Sequence, residues 1–270
     1  NDLSCQTSTN HTIDTGTAMG WYNSIAIGVD QMGLISYGDW DNSSLKIAHC
    51  ENQECSNVTT TVIDDVGTAG FDCHIVIGWD GRGLISYNEN YEDDLKVAHC
   101  QNINCSYFEI NTIANNVSGN NIAIGSDGYG LISYWSNSPL ELRVAHCENK
   151  ECSAATSSPI YGSTFQSGSS SIALGRDGLP LIVFNADDVL KIAHCNDIAC
   201  SHSVIFTVDD SISVVGLHND ITIGTDEFGL ISYYDNHNKD LKVAHCQDVV
   251  CSRAYTYTLD EEGTVGRETA

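Results

Sequence analysis

The sequence predicts an all-β fold, a β-propeller of five four-stranded repeats with disulfide-stapled hairpins and a surplus outer strand at one terminus. Three observations carry this. An apolar segment ending in Ala-His-Cys, a four-residue spacer and Cys-Ser recur five times along the 270 residues, bringing Cys50 near Cys55, Cys100 near Cys105, Cys147 near Cys152, Cys195 near Cys200 and Cys246 near Cys251. The repeat period is 47 to 51 residues, the size of a propeller blade. Each unit holds four short strand-like segments and no long helical pattern, which fits four antiparallel strands per blade better than a sandwich, a jelly roll or a β-helix.

One domain over 1–270 is expected, with units at about 5–54, 55–104, 105–151, 152–199 and 200–250, and 251–270 as an extra outer strand and linker. In the second unit segment A runs from Cys73 to Gly78, B from Gly83 to Tyr87, C from Leu95 to Cys100 and D from Cys105 to Ile113. Segment A is an apolar run without alternation, as in Ile25–Gly28 and Ile122–Gly125, which suits a strand covered on both faces. Asp80-Gly81-Arg82-Gly83 and Asp127-Gly128-Tyr129-Gly130 are tight-turn sequences that join A to B as a hairpin. Segment C alternates, with Leu95, Val97 and His99 on one face and Lys96, Ala98 and Cys100 on the other.

Ten of the twelve cysteines fall in these Cys-x4-Cys pairs, a disulfide framework that staples C to D and belongs to an oxidising compartment. A zinc site would need a second pair nearby, which the spacing does not supply. The formal charge of −25, from 36 acidic and 11 basic residues, excludes nucleic acid as a partner because like charges repel at contact. No apolar run approaches the roughly 18 residues of a membrane span, and no signal peptide opens the chain, so a secreted, extracellular or cell-surface protein is expected in processed form. Asn10, Asn42, Asn57, Asn104 and Asn116 each begin an Asn-x-Ser/Thr acceptor sequence for glycosylation.

The run Ile-Ala-Ile-Gly-x-Asp-x-x-Gly-Leu-Ile-Ser-Tyr followed by Leu-Lys-Val-Ala-His-Cys resembles the propeller repeats of large secreted microbial proteins, and is distantly similar to sialidase-type and lectin-type propellers. The resemblance covers nearly the whole chain and implies blades and an extracellular setting. It implies no single activity, since activities on such scaffolds diverge. The fourth unit departs from it, with Pro180, Val183 and Phe184 where others have Gly, Ser and Tyr.

Segment D occurs six times and A, B and C five times each, because the first four residues match the spacer that precedes Cys5. Either Cys5–Asp14 or Cys251–Asp260 is expected to pair with the fifth segment C, leaving the other to a longer array or to a neighbouring molecule's sheet edge. Cys5 and Cys73 have no counterpart partners and are expected to form a bridge between subunits or within one chain.

The repeated histidines (His49, His99, His146, His194, His245) are expected to be structural, each fixing its blade by bonding to a neighbouring turn. The repeated Asp30, Asp80, Asp127, Asp177 and Asp226 are expected to cap the turns that follow them. The variable B–C loops place Trp40, Tyr91 and Trp135 beside carboxylates and amides, which makes these rings the expected glycan platform; calcium is the one cofactor that such loops invite. Catalysis is not expected, because Arg82, Arg143, Arg176, Arg253 and Arg267 sit at unmatched repeat positions and no nucleophile elbow, metalloprotease helix or phosphate loop is present. These readings favour a structural or adhesive module, a filament subunit that self-associates by strand exchange, with a lectin as the alternative.

Overall fold

The structure, a computed structural model, describes residues 9–90, 93–164, 169–211 and 214–266. Among them are twenty strands in five antiparallel sheets, each ordered as its strands follow in the chain. The first blade is β1 (Met19–Ile27), β2 (Gly33–Asp39), β3 (Ser44–Cys50) and β4 (Val58–Asp64). The second is β5 (Phe71–Ile77), β6 (Gly83–Glu89), β7 (Asp94–Cys100) and β8 (Phe108–Ala114), and the third is β9 (Val117–Ile124), β10 (Gly130–Asn137), β11 (Leu140–Cys147) and β12 (Ala155–Gly162). The fourth is β13 (Ser170–Leu174), β14 (Pro180–Ala186), β15 (Val189–Cys195) and β16 (Ser203–Asp209), and the fifth is β17 (Val215–Ile223), β18 (Gly229–Asp235), β19 (Asp240–Cys246) and β20 (Ala254–Asp260). Each blade therefore begins at strand A and ends at strand D. Of the two terminal D segments, Ala254–Asp260 takes the edge of the fifth blade, and residues 9–16 form no strand.

The core lies between blades. Leu34, Leu45 and Ile47 of the first blade pack on Ile75, Ile85 and Ala98 of the second, and three further layers repeat this arrangement between successive blades. Blade contact is close enough to demand glycine at one place: a Cβ on Gly83 would lie 2.8 Å from Leu34, and one on Gly130 2.9 Å from Leu84. The inner strands β1, β5, β9, β13 and β17 stand in succession around the axis.

One end of the propeller is built from repeated parts. His49, His99, His146, His194 and His245 each bring Nε2 to Oδ2 of Asp30, Asp80, Asp127, Asp177 and Asp226, at 2.7 to 3.0 Å. The other oxygen of each carboxylate accepts the backbone N–H two residues on, at 3.1 or 3.2 Å. Strand C is thus tied to the A–B turn of its own blade by one side-chain pair. That turn needs a left-handed residue, and glycine supplies it only in the middle three blades; Gln31 (φ 66°) and Glu227 (φ 69°) adopt it elsewhere at some cost in strain.

All five C–D hairpins are disulfide-bonded, with Cα atoms 4.7 to 4.9 Å apart. The second cysteine of each pair is left-handed, φ 53° to 55°, and the Asn or Asp two residues after the first cysteine accepts the N–H of the following serine. The turn is therefore held by backbone, side chain and bridge together. Replacing Cys100 and Cys105 by serine is expected to lower stability by about 2 kcal/mol, the loop-closure entropy of so short a ring. A urea midpoint unchanged by the double replacement would show that the turn holds itself.

Candidate functional site

The opposite end carries the variable parts. The B–C loops lie there, and so do the starts of the A strands, since Met19 pairs with Asp39 and Phe71 with Asn88. Four of the A strands are irregular at this point, with register shifts between strands A and B in the first, second, third and fifth blades. The residue at the apex of the bulge is left-handed: Tyr22 (φ 50°), Asp72 (φ 44°), Gly119 (φ 58°) and His218 (φ 49°). Bulges re-aim side chains and gather next to active sites. Here they turn four chemically different residues toward the mouth of the propeller.

Three of those apices, Tyr22, Asp72 and Gly119, line a cleft of about 410 Å³ that crosses the first three blades. Its walls add Phe71, the amides of Asn88, Asn90 and Asn137, and the carboxylate of Asp93. Asn120 fixes one wall: its Nδ2 donates to the Asp72 carbonyl at 2.7 Å and to Asn88 Oδ1 at 2.5 Å. Beside the cleft the rings of Trp21, Tyr22, Trp40 and Phe71 form one cluster, with centroids 4.8 to 6.4 Å apart. Trp21, Tyr22 and Trp40 are exposed, and Tyr22 and Phe71 belong to both the cluster and the cleft. An apolar face beside convergent carboxylates and amides is the pattern that holds a polar ring compound with one flat apolar side.

A ladder of buried and half-buried polar side chains runs from one inner strand to the next. Ser24 Oγ accepts the N–H of Ile75, Asn121 Oδ1 that of Ile172, and Ser171 Oγ that of Ile221, at 3.2 to 3.3 Å. Burial pushes His74 down to about 4 and leaves it neutral, and burial raises Asp220, opposed by a hydrogen bond from Ser171. These groups link blades and lie outside the cleft.

Of the residues expected to bind glycan, Trp40 stands in the exposed cluster. Trp135 does not: strand B continues past Tyr134, so Trp135 lies within β10 and is fully buried in the layer between the third and fourth blades. Tyr91, Cys5 and Arg267 lie outside the described residues. Cys73 is not available for a bridge to another subunit, because it is buried on β5, donates Sγ–H to the Tyr22 carbonyl at 2.6 Å, and has its thiol pushed up to about 12 by burial. Among the acceptor sequences, Asn10, Asn42, Asn57 and Asn116 are exposed and Asn104 is half-buried. Among the described residues no three His, Cys, Asp or Glu side chains gather as a metal site. Sequence reasoning missed Asp72, Asp93 and the bulges; the one signal was Tyr22, Asp72 and His218 differing at a repeat position three residues before a constant isoleucine (Ile25, Ile75, Ile221).

No protein-family model matches the chain, and no curated protein matches it. Solved structures share the fold. An α-L-arabinofuranosidase of Fusarium graminearum in complex with arabinobiose aligns at TM-score 0.67 and 9% identity, over 92% of this chain and 83% of that one. An α-L-arabinanase of Penicillium chrysogenum, also with arabinobiose, aligns at 0.61 and 11% over 86% and 80%. An exo-β-1,3-galactanase of Clostridium thermocellum aligns at 0.53 and 11% over 96% and 63%. The expectation of a non-enzymatic structural, adhesive, filament or lectin module is overturned here, because the arabinofuranosidase, arabinanase and galactanase propellers that align with this chain are carbohydrate-active enzymes. The five disulfides point to a secreted protein, and the chain is similar in fold to glycosidase-type propellers.

Proposed function

We propose that this chain is an extracellular glycoside hydrolase that binds a glycan chain across the mouth of its first three blades. The observation that carries the reading is a single cleft in which two carboxylates, Asp72 and Asp93, and three amides meet an exposed aromatic cluster. Glycoside hydrolysis needs two carboxyl groups on either side of the bond. One, in its acid form, protonates the glycosidic oxygen; the other, ionised, takes a proton from the attacking water or attacks the anomeric carbon, and water adds across the broken bond. The Trp40 cluster holds the neighbouring sugar and Asn88, Asn90 and Asn137 bond its hydroxyls.

The test is turnover of arabinan, β-1,3-galactan and the matching aryl glycosides by the oxidised protein. Release of sugar is expected, with Asp72→Asn and Asp93→Asn each losing about a hundredfold or more in kcat and Trp40→Ala raising KM. A folded protein that turns over no member of the panel, or variants with unchanged kcat, would overturn the assignment.

A further inference from the structure

The five blades leave their ring open. The inner strands pack in succession from β1 to β17, and among the described residues no comparable packing joins β17 to β1. The two faces left there have the chemistry of the four interfaces already filled. Ile25 on β1 is 62% exposed, whereas its equivalents Ile75, Ile122, Ile172 and Ile221 are 4 or 5% exposed beneath a neighbouring blade. Leu230 on β18 is 37% exposed, whereas Leu34, Leu84, Leu131 and Leu181 are at 2% or less. Apolar faces of this size seldom remain in water.

Two segments of the chain already occupy this opening, and both make contacts that belong to a blade. At the end of β4, Asp64 accepts from Tyr87 Oη at 2.8 Å and Lys96 Nζ at 3.3 Å of the next blade. At the end of β16, Asp209 accepts from Tyr233 Oη at 2.6 Å and Lys242 Nζ at 2.5 Å of the next blade. Asp14 accepts in the same way from Tyr37 and Lys46 of the first blade, so it stands where strand D of a preceding blade ends. Residues 9–13 run over the Ile25 and Ile35 face with an apolar groove of about 430 Å³ beside them. On the other flank, the Val265 N–H bonds the Lys239 carbonyl at 3.1 Å, as Val215 bonds Asp188 at 3.2 Å and Ala69 bonds Ser43 at 3.2 Å where strand A opens in the fifth and second blades. Gly266 is left-handed against Leu241, as Gly216 is against Leu190.

We infer that the opening is the seat of a sixth blade formed by the same polypeptide, with residues 9–14 as its outer strand, Gly266 at the start of its innermost strand, and one further A–B–C unit of this repeat between them. The source is the same chain because both bordering segments are held in cis, where a tethered unit has a high effective concentration. Cys5 stands nine residues before Asp14, as Cys55 stands before Asp64 and Cys200 before Asp209. It is therefore the partner for the cysteine that ends the added strand C, with two thiols losing two electrons and two protons to the oxidant that forms the other five bridges.

The test attaches a copy of Leu217–Cys246 after Gly266, in place of residues 267–270, and compares the product with the 270-residue protein. Unreduced peptide mapping is expected to find Cys5 bonded to the added cysteine, hydrogen exchange in β1 and β18 is expected to slow, and the thermal midpoint is expected to rise. Ile25→Glu should leave the 270-residue protein's midpoint unchanged, since that side chain is already in water, and should cancel the gain in the extended one. A free Cys5 thiol with unchanged exchange in β1 would overturn the inference. So would a 270-residue protein that sediments as a dimer and becomes monomeric on Ile25→Glu, because the occupant would then be a second copy.

Discussion

Replacing Trp135 by alanine is expected to cost about 3–5 kcal/mol, the range for removing a large aromatic side chain from a packed core. Trp135 is fully buried, 6.3 Å from the Phe184 ring, with Leu142 and Val144 in the same layer. Its indole N–H meets no acceptor among the described residues, so Trp135→Phe should recover most of the loss by refilling the space without a hydrogen bond to replace. Urea unfolding of the two variants measures both values. A small loss for the alanine variant, together with an altered KM on a glycan, would return the ring to a binding role.

Acid is expected to loosen the fold at Asp209, which ends β16, and at Asp14. Burial acts to raise the Asp209 carboxyl, but hydrogen bonds from Lys242, Tyr233 and Ser211 outweigh it and hold the group at about 2. A carboxylate lower in the folded state than in the unfolded chain stabilises fully above its ordinary value near 4 and loses that contribution as pH falls through about 2. The contribution is about 2 kcal/mol at neutral pH. Asp14 is lowered as well, against burial, by Lys46 and Tyr37. Asp209→Asn should reduce stability at pH 7 and flatten its decline between pH 4 and 2. An unchanged slope in the asparagine variant would assign the acid response to other carboxylates.

The frame of the protein was legible because it is written five times. Each Ala-His-Cys marks a strand C and each Gly-x-Asp a turn; the histidine was expected to bond to a turn and the aspartate to cap one, and the structure joins the two as a His–Asp pair in every blade. The end of strand B was harder to see, since Ser-Tyr completes the repeated pattern while the β10 ladder runs three residues further, to Asn137, and Trp135 fell on the wrong side of that line. Cys73 was misread for a related reason: its oddity in sequence suggested reactivity, and its place on an inner strand makes it a buried filler. The cleft was not legible at all. It joins residues of three blades that lie far apart in the sequence, and nothing local in Tyr22 or Asp72 announces a left-handed backbone, which short-range pattern assigns to glycine.

The bulge at the head of the inner strands has a meaning for descent. The strand-B serine that closes it on the partner strand, Ser36, Ser86 or Ser232, recurs from blade to blade, and the residue at its apex does not. A gene segment copied whole thus inherits a finished scaffold and one chemically uncommitted codon. Point changes at Tyr22, Asp72, Gly119 and His218 alter what the mouth presents and leave every interblade layer intact. Chains sharing this frame are expected to diverge in ligand at these apices first, while the His–Asp pairs and cystines stay fixed.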